Sequence, residues 1–178
     1  MSILSHFKSE IHTKAPAALE SWLYYDLPIT DKLKTLSGSA ELELLSQAWV
    51  PAKWWDRYAL NIKEKIFQRE IFMKSHGRVF WYARSIIPHS CYEIEPDFFK
   101  RLDSESIRNL IFNEPKVHLV QRIIYPINEQ SIEFYWMKKH LCGIQGTFWV
   151  RLAEFLFQNK SSFYLIEILF PELQELQQ

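Results

Sequence analysis

Three consecutive segments, IFQREIFM (Ile66–Met73), KSHGR (Lys74–Arg78) and VFWYARSII (Val79–Ile87), decide how this chain folds. The outer two are rich in β-branched and aromatic residues, which favour the pleated conformation, and between them Gly77 can supply the positive φ of a tight turn. The stretch therefore predicts a β-hairpin. Strand side chains alternate between faces, so Arg69 joins Phe67, Ile71 and Met73, and Arg84 joins Phe80, Tyr82 and Ile86. A two-residue turn at His76-Gly77 pairs Met73 with Phe80, Ile71 with Tyr82 and Arg69 with Arg84. Two guanidinium groups then face each other on an apolar surface. Repulsion and desolvation disfavour that arrangement unless an anion lies between them, and the arginine fork suits a carboxylate.

A second hairpin is expected from Phe148–Phe157 and Phe163–Phe170 around the loop QNKSS, with Pro171 ending it. Here Glu167 shares a face with Phe163, Leu165 and Leu169. Across a five-residue loop it faces Ala153, with Arg151 one diagonal away. Desolvation raises the pKa of a carboxyl in such a stripe unless a donor or arginine restores its charge, and functional acids are often found in this setting. Other readings fit the same pattern: a core ion network of Glu167 with Arg69, Arg84 or Arg151, or a one-residue slip that turns every side chain over.

Outward from the hairpins, Pro16–Tyr25 reads as a helix with Leu19, Trp22 and Leu23 at helical spacing, and Thr30 as the cap of a second through Leu36. Ala40–Val50 reads as a strand closed by Pro51, and Pro96–Phe112 as a helix. Between Pro115 and Gly146 one strand is expected, near Ile132–Met137. Trp54-Trp55 suggests a core or subunit contact, and the ending PELQELQQ a solvated tail. Hairpins with helices inserted between them define an α+β fold on an antiparallel sheet, because a parallel sheet would need a crossover after each strand.

Composition narrows the function. The chain has 178 residues, 48% of them hydrophobic, which suits a single domain over 1–178 with an ordinary core. Lys+Arg and Asp+Glu each number 21, so the basic excess expected of a nucleic-acid binder is missing. Four glycines cannot build a Gly-rich phosphate loop, and two cysteines without CxxC spacing suggest neither a disulfide framework nor a zinc site. The six histidines form no i,i+4 pair, so no metal is expected. The N-terminal segment has no signal-peptide run and no stretch is apolar enough for a membrane span. The expectation is a reduced, cytoplasmic chain acting on a small molecule.

Beside these readings stands a resemblance. The segments Phe67-Gln68-Arg69-Glu70-Ile71, Gly77, and Tyr82-Ala83-Arg84-Ser85-Ile86-Ile87-Pro88 resemble the chorismate lyase family. So do Trp149-Val150-Arg151, the ending Tyr164-Leu165-Ile166-Glu167-Ile168-Leu169-Phe170-Pro171, and Trp22-Leu23 followed by Ile29-Thr30. The resemblance implies a helix-covered sheet with a closed site beneath two helical flaps, and conversion of chorismate to 4-hydroxybenzoate and pyruvate in ubiquinone synthesis. It implies that Arg69 binds the ring carboxylate and that Glu167 sits at the hydroxyl end. Ile29 and Ile107 stand where relatives use Met and Leu against the ligand. On the predicted register Arg84 takes the enolpyruvyl carboxylate, so Arg69, Arg84 and Glu167 form the expected catalytic set. No cofactor is called for, and a monomer is expected. The chain departs from the family in its longer segment from Pro115 to Gly146 and in Arg151-Leu152 where relatives carry two arginines. A small-acid-binding effector domain of the same fold is the alternative.

Overall fold

The computed structural model describes residues 14–177. The readings of His6, His12 and the N-terminal leader fall outside them. In chain order the elements are α1 (Ala17–Leu23), α2 (Ile29–Ser37), β1 (Glu41–Pro51), α3 (Trp54–Ala59), β2 (Lys65–Ser75), β3 (Arg78–Pro88), α4 (His89–Tyr92), α5 (Pro96–Lys100), α6 (Ile107–Ile111), β4 (Val117–Ile127), α7 (Ile132–Lys138), β5 (Phe148–Phe157) and β6 (Ser161–Leu169). Short 3-10 turns at Arg101–Asp103 and Pro171–Gln177 complete the set. The six strands form one sheet in the order β1-β2-β3-β6-β5-β4, with every pair antiparallel. The α+β class expected from the hairpins is the class observed.

Both hairpins form, but in registers other than those expected, and the first difference changes the site. His76 and Gly77 adopt φ of 49° and 77°, as a two-residue hairpin turn requires. Lys74 pairs with Val79, but Met73 then pairs with Trp81, leaving Phe80 as an extra residue. This β-bulge places Phe80 and Trp81 in the same core cluster and inverts the facing of all that follows. Arg69 therefore opposes Ser85, and Arg84 opposes Glu70. In the second hairpin Phe157 pairs with Ser161 across a three-residue loop in which Gln158 and Asn159 have positive φ. That shift of two keeps Glu167 on its expected face and sets Arg151, not Ala153, directly opposite it.

Helices cover both faces. On one, α1, α2, α4, α5 and α6 pack over Phe67, Ile71, Ala83, Ala153, Phe163 and Leu165. The closed end of this face is aromatic, with Phe99 against Phe157 at 4.9 Å and Phe163 at 5.7 Å between ring centroids. On the other, α3 and α7 cover Ile66, Phe72, Tyr82, Val150 and Ile166.

Several expected elements are corrected. Ile132–Lys138 is a helix, because Glu133, Phe134, Trp136 and Met137 are buried at i, i+1, i+3 and i+4 spacing. The long helix from Pro96 to Phe112 breaks at Ser104–Ser106 into α5, a 3-10 turn and α6. The terminal segment is not a free tail, since Leu173 is fully buried. Thr30 lies inside α2, which begins at Ile29 after Pro28. Trp55 of α3 is buried and Trp54 is exposed. Among the described residues no helix is long and apolar enough to cross a membrane.

Candidate functional site

A cavity opens over the first face of the sheet, with about 730 Å³ of space counted out into the solvent at its mouth. Its floor is the middle of the sheet, where Ala83, Ser85, Ala153 and Leu165 present short or apolar side chains. Pro28, Ile29 and Thr30 at the start of α2 form one wall, and Ser106, Ile107 and Arg108 at the start of α6 form another. Ile29 and Ile107, expected at the ligand, both line the cavity.

The charges at its rim are unbalanced. Arg69, Arg108, Arg122 and Arg151 line the cavity, and Glu167 is its one carboxylate. Each of the four arginines has a buried Nε without a hydrogen-bond partner. Buried donors are nearly always satisfied in native proteins, so four unsatisfied ones around one cavity mark a place built for an acceptor. Arg69 is the most isolated. It is 7% exposed and makes no side-chain hydrogen bond or salt bridge to a described residue. Desolvation lowers its pKa, and the charge of Asp103 opposes that only in part.

At the other end Arg151 Nε lies 3.5 Å from Glu167 Oε2. The terminal nitrogens of Arg151 donate to the carbonyls of Trp22 at 2.9 Å and Tyr25 at 3.1 Å. Lys32 Nζ donates to the Ser21 carbonyl at 2.9 Å. Two cations thus add donors to the carbonyls at the negative dipole end of α1, fixing the chain that leads into Ile29. Burial also lowers the pKa of Arg151, with Glu167 opposing the shift. Arg122 approaches from β4, next to β5, and its NH1 donates to Asp26 at 3.0 Å.

The expected role of Arg84 at this cavity is not met. The bulge at Phe80 turns it to the opposite face, where it is 2% exposed and fully engaged. Its NH1 and NH2 donate to the two oxygens of Asp56 at 2.7 and 3.0 Å. Its Nε and NH2 donate to Gln68 Oε1 at 2.9 and 2.6 Å, and the guanidinium sits 4.7 Å from the Trp136 ring centre. Gln68 in turn donates to Glu70, which also accepts from Ser46 and Tyr82. This network pins α3 and α7 to the sheet.

Burial alone would raise the pKa of Glu70, but hydrogen bonds from Ser46 and Tyr82 outweigh it and leave the carboxyl below its usual 4.5. A depressed folded pKa contributes stability above the unfolded value that is lost as pH falls through the folded one. Thermal unfolding followed by circular dichroism should therefore show a midpoint that drops as pH is lowered below about 4.5. Tyr82→Phe should flatten that drop.

Comparisons with known proteins bear on both fold and site. The chorismate lyase family model matches residues 6–170. A probable chorismate pyruvate-lyase of Pseudoalteromonas atlantica is 29% identical over 106 residues. That alignment covers 56% of this chain and 54% of the relative, so the match spans about half of its length. A GntR-family transcriptional regulator from Bacillus cereus superposes with a TM-score of 0.55 at 13% identity, over 75% of this chain and 92% of that one. The effector domain of PhnF from Mycobacterium smegmatis gives 0.55 at 13% identity, over 82% and 89%. These two likenesses establish a shared fold.

Proposed function

Because the chain belongs to the chorismate lyase family, we propose that it is a chorismate pyruvate-lyase working as a single domain over residues 1–178. The observation that carries this reading is the cavity itself: an apolar floor with the unpartnered Arg69 at one end and Glu167 beside Arg151 at the other. A ring acid lying on Ala83, Ser85, Ala153 and Leu165 meets a guanidinium at its carboxylate and a carboxylate at its hydroxyl.

The chemistry needs little more. Chorismate loses the C4 proton as the C3–O bond breaks, the ring becomes 4-hydroxybenzoate, and the departing enolate takes up one proton on carbon to become pyruvate. Atoms and electrons balance without a redox partner. Arg69 holds the ring carboxylate by paired charge-assisted bonds. Glu167 orients the C4 hydroxyl and accepts the C4 proton. Arg151 lies against Glu167 and, through its bonds to Trp22 and Tyr25, holds the α1–α2 connection closed above the ring. Ile29 and Ile107 pack the ring from the two flaps. Product formation in the cytoplasm would supply ubiquinone synthesis.

Incubation with chorismate, following pyruvate by a coupled dehydrogenase and the aromatic product by absorbance, tests the reading. Equal amounts of pyruvate and 4-hydroxybenzoate are expected, and Glu167→Gln should cut kcat by about 10²-fold or more. Binding of 4-hydroxybenzoate without pyruvate release would make the chain an effector-type domain instead.

A further inference from the structure

Arg122 lies at one end of a transverse row of the sheet and Arg69 at the other. Arg122 pairs with Ala153, Ala153 with Leu165, Leu165 with Ser85, and Ser85 with Arg69. The row crosses five strands, so the two arginine Cα atoms are roughly 19 Å apart, at about 4.8 Å per strand spacing. Only short or apolar side chains separate them. The adjacent row carries Arg151 opposite Glu167 and Glu167 opposite Ala83. Arg122 therefore belongs to the Glu167 end of the cavity.

Two arginines stand at that end, and their free donors differ. The terminal nitrogens of Arg151 are taken up by the carbonyls of Trp22 and Tyr25, and its Nε faces Glu167. Arg122 is 15% exposed, its Nε is buried without a partner, and its NH1 is bonded to Asp26, whose side chain is 88% exposed. A charge pair with so exposed an acid is weak and readily exchanged. Arg122 thus has more to offer an incoming anion. Both terminal nitrogens of Arg151 are engaged and its remaining Nε lies against Glu167, whereas Arg122 has an unpartnered Nε and a single bond to an exposed acid.

We propose that Arg122 holds a second carboxylate, carried on the ring position next to the hydroxyl. It would select ring acids with two anionic groups over those with one. The proposal rests on the lyase reading of the site, where the second group is the enolpyruvyl carboxylate. That carboxylate takes the place of Asp26 at the guanidinium, and Arg122 returns to Asp26 when pyruvate leaves.

The test compares two non-reacting ligands by calorimetric titration: 4-hydroxybenzoate, with one carboxylate, and 3-(carboxymethoxy)-4-hydroxybenzoate, with two. Arg122→Gln should weaken the dianion by about 10- to 100-fold and leave the monoanion within about twofold. Arg122→Lys should recover part of the difference. An equal loss for both ligands would mean that Arg122 only shapes the cavity, and no loss for either would mean that it stays with Asp26. Each result overturns the proposal. Neither ligand turns over, so failure of the wild-type protein to release pyruvate from chorismate would sink the lyase reading without deciding this one. Selective loss for the dianion in such a protein would keep the Arg122 assignment.

Discussion

Arg69→Ala should abolish measurable binding of 4-hydroxybenzoate while leaving the unliganded protein at least as stable as the wild type. The two halves of that result have one cause. Arg69 is 7% exposed, no described residue bonds its side chain, and desolvation lowers its pKa. Keeping it there costs the empty protein free energy, since a buried charge without a partner is disfavoured. A ligand carboxylate supplies the missing partner in a desolvated site, where truncating one member of such a pair costs about 3 kcal/mol or more, roughly 10²-fold in Kd. Calorimetry measures the first effect and thermal unfolding without ligand the second. Arg69→Lys should bind more weakly than wild type, because an ammonium cannot match both carboxylate oxygens in a plane. A fall in apo Tm with unchanged affinity would make Arg69 a structural residue.

Asp56→Ala should do the reverse. Asp56 is fully buried and takes two hydrogen bonds from Arg84, itself 2% exposed. Removing the aspartate leaves a guanidinium in the core with only Gln68 to accept its hydrogen bonds. Breaking a buried pair in this way costs about 3–5 kcal/mol, or roughly 6–20 °C in Tm for a chain of this size. Where the variant folds, its affinity for 4-hydroxybenzoate should match the wild type, because the network lies across the sheet from the cavity. The two arginines came from one hairpin and looked equivalent by composition. Their partners set them apart: Arg84 is saturated, and Arg69 is not. Loss of binding in folded Asp56→Ala would show that the two faces are coupled.

That difference was only half legible in the sequence. Misfit charges on apolar strands pointed to Arg69 and Glu167, and both line the cavity because the period-2 pattern of β2 and β6 is strong on either side of them. Arg84 was misplaced by a single bulged residue. Phe80 is as apolar as its neighbours, so nothing local marks it as the unpaired one, yet one residue is enough to turn a strand over. The Gln158-Asn159 turn shifted the other register by two, which preserves facing, so Glu167 survived the same kind of error. Arg122 is absent from the sequence-based site because no strand is expected over Val117–Ile127. Val117–Ile127 is rich in β-branched residues, but it includes Pro126, which a central strand would exclude and an edge strand tolerates. The helix at Ile132–Lys138 carries strand-like aromatic composition, and only its burial against the second face shows the helical period.

The proposed role of the cavity rests on where one acid binds. A crystal structure of the chain with 4-hydroxybenzoate tests that directly. The ring should lie over Ala83, Ser85 and Ala153, its carboxylate hydrogen-bonded to Arg69 and its hydroxyl to Glu167. A ligand whose carboxylate is held elsewhere, or whose ring reverses the two ends, would contradict it.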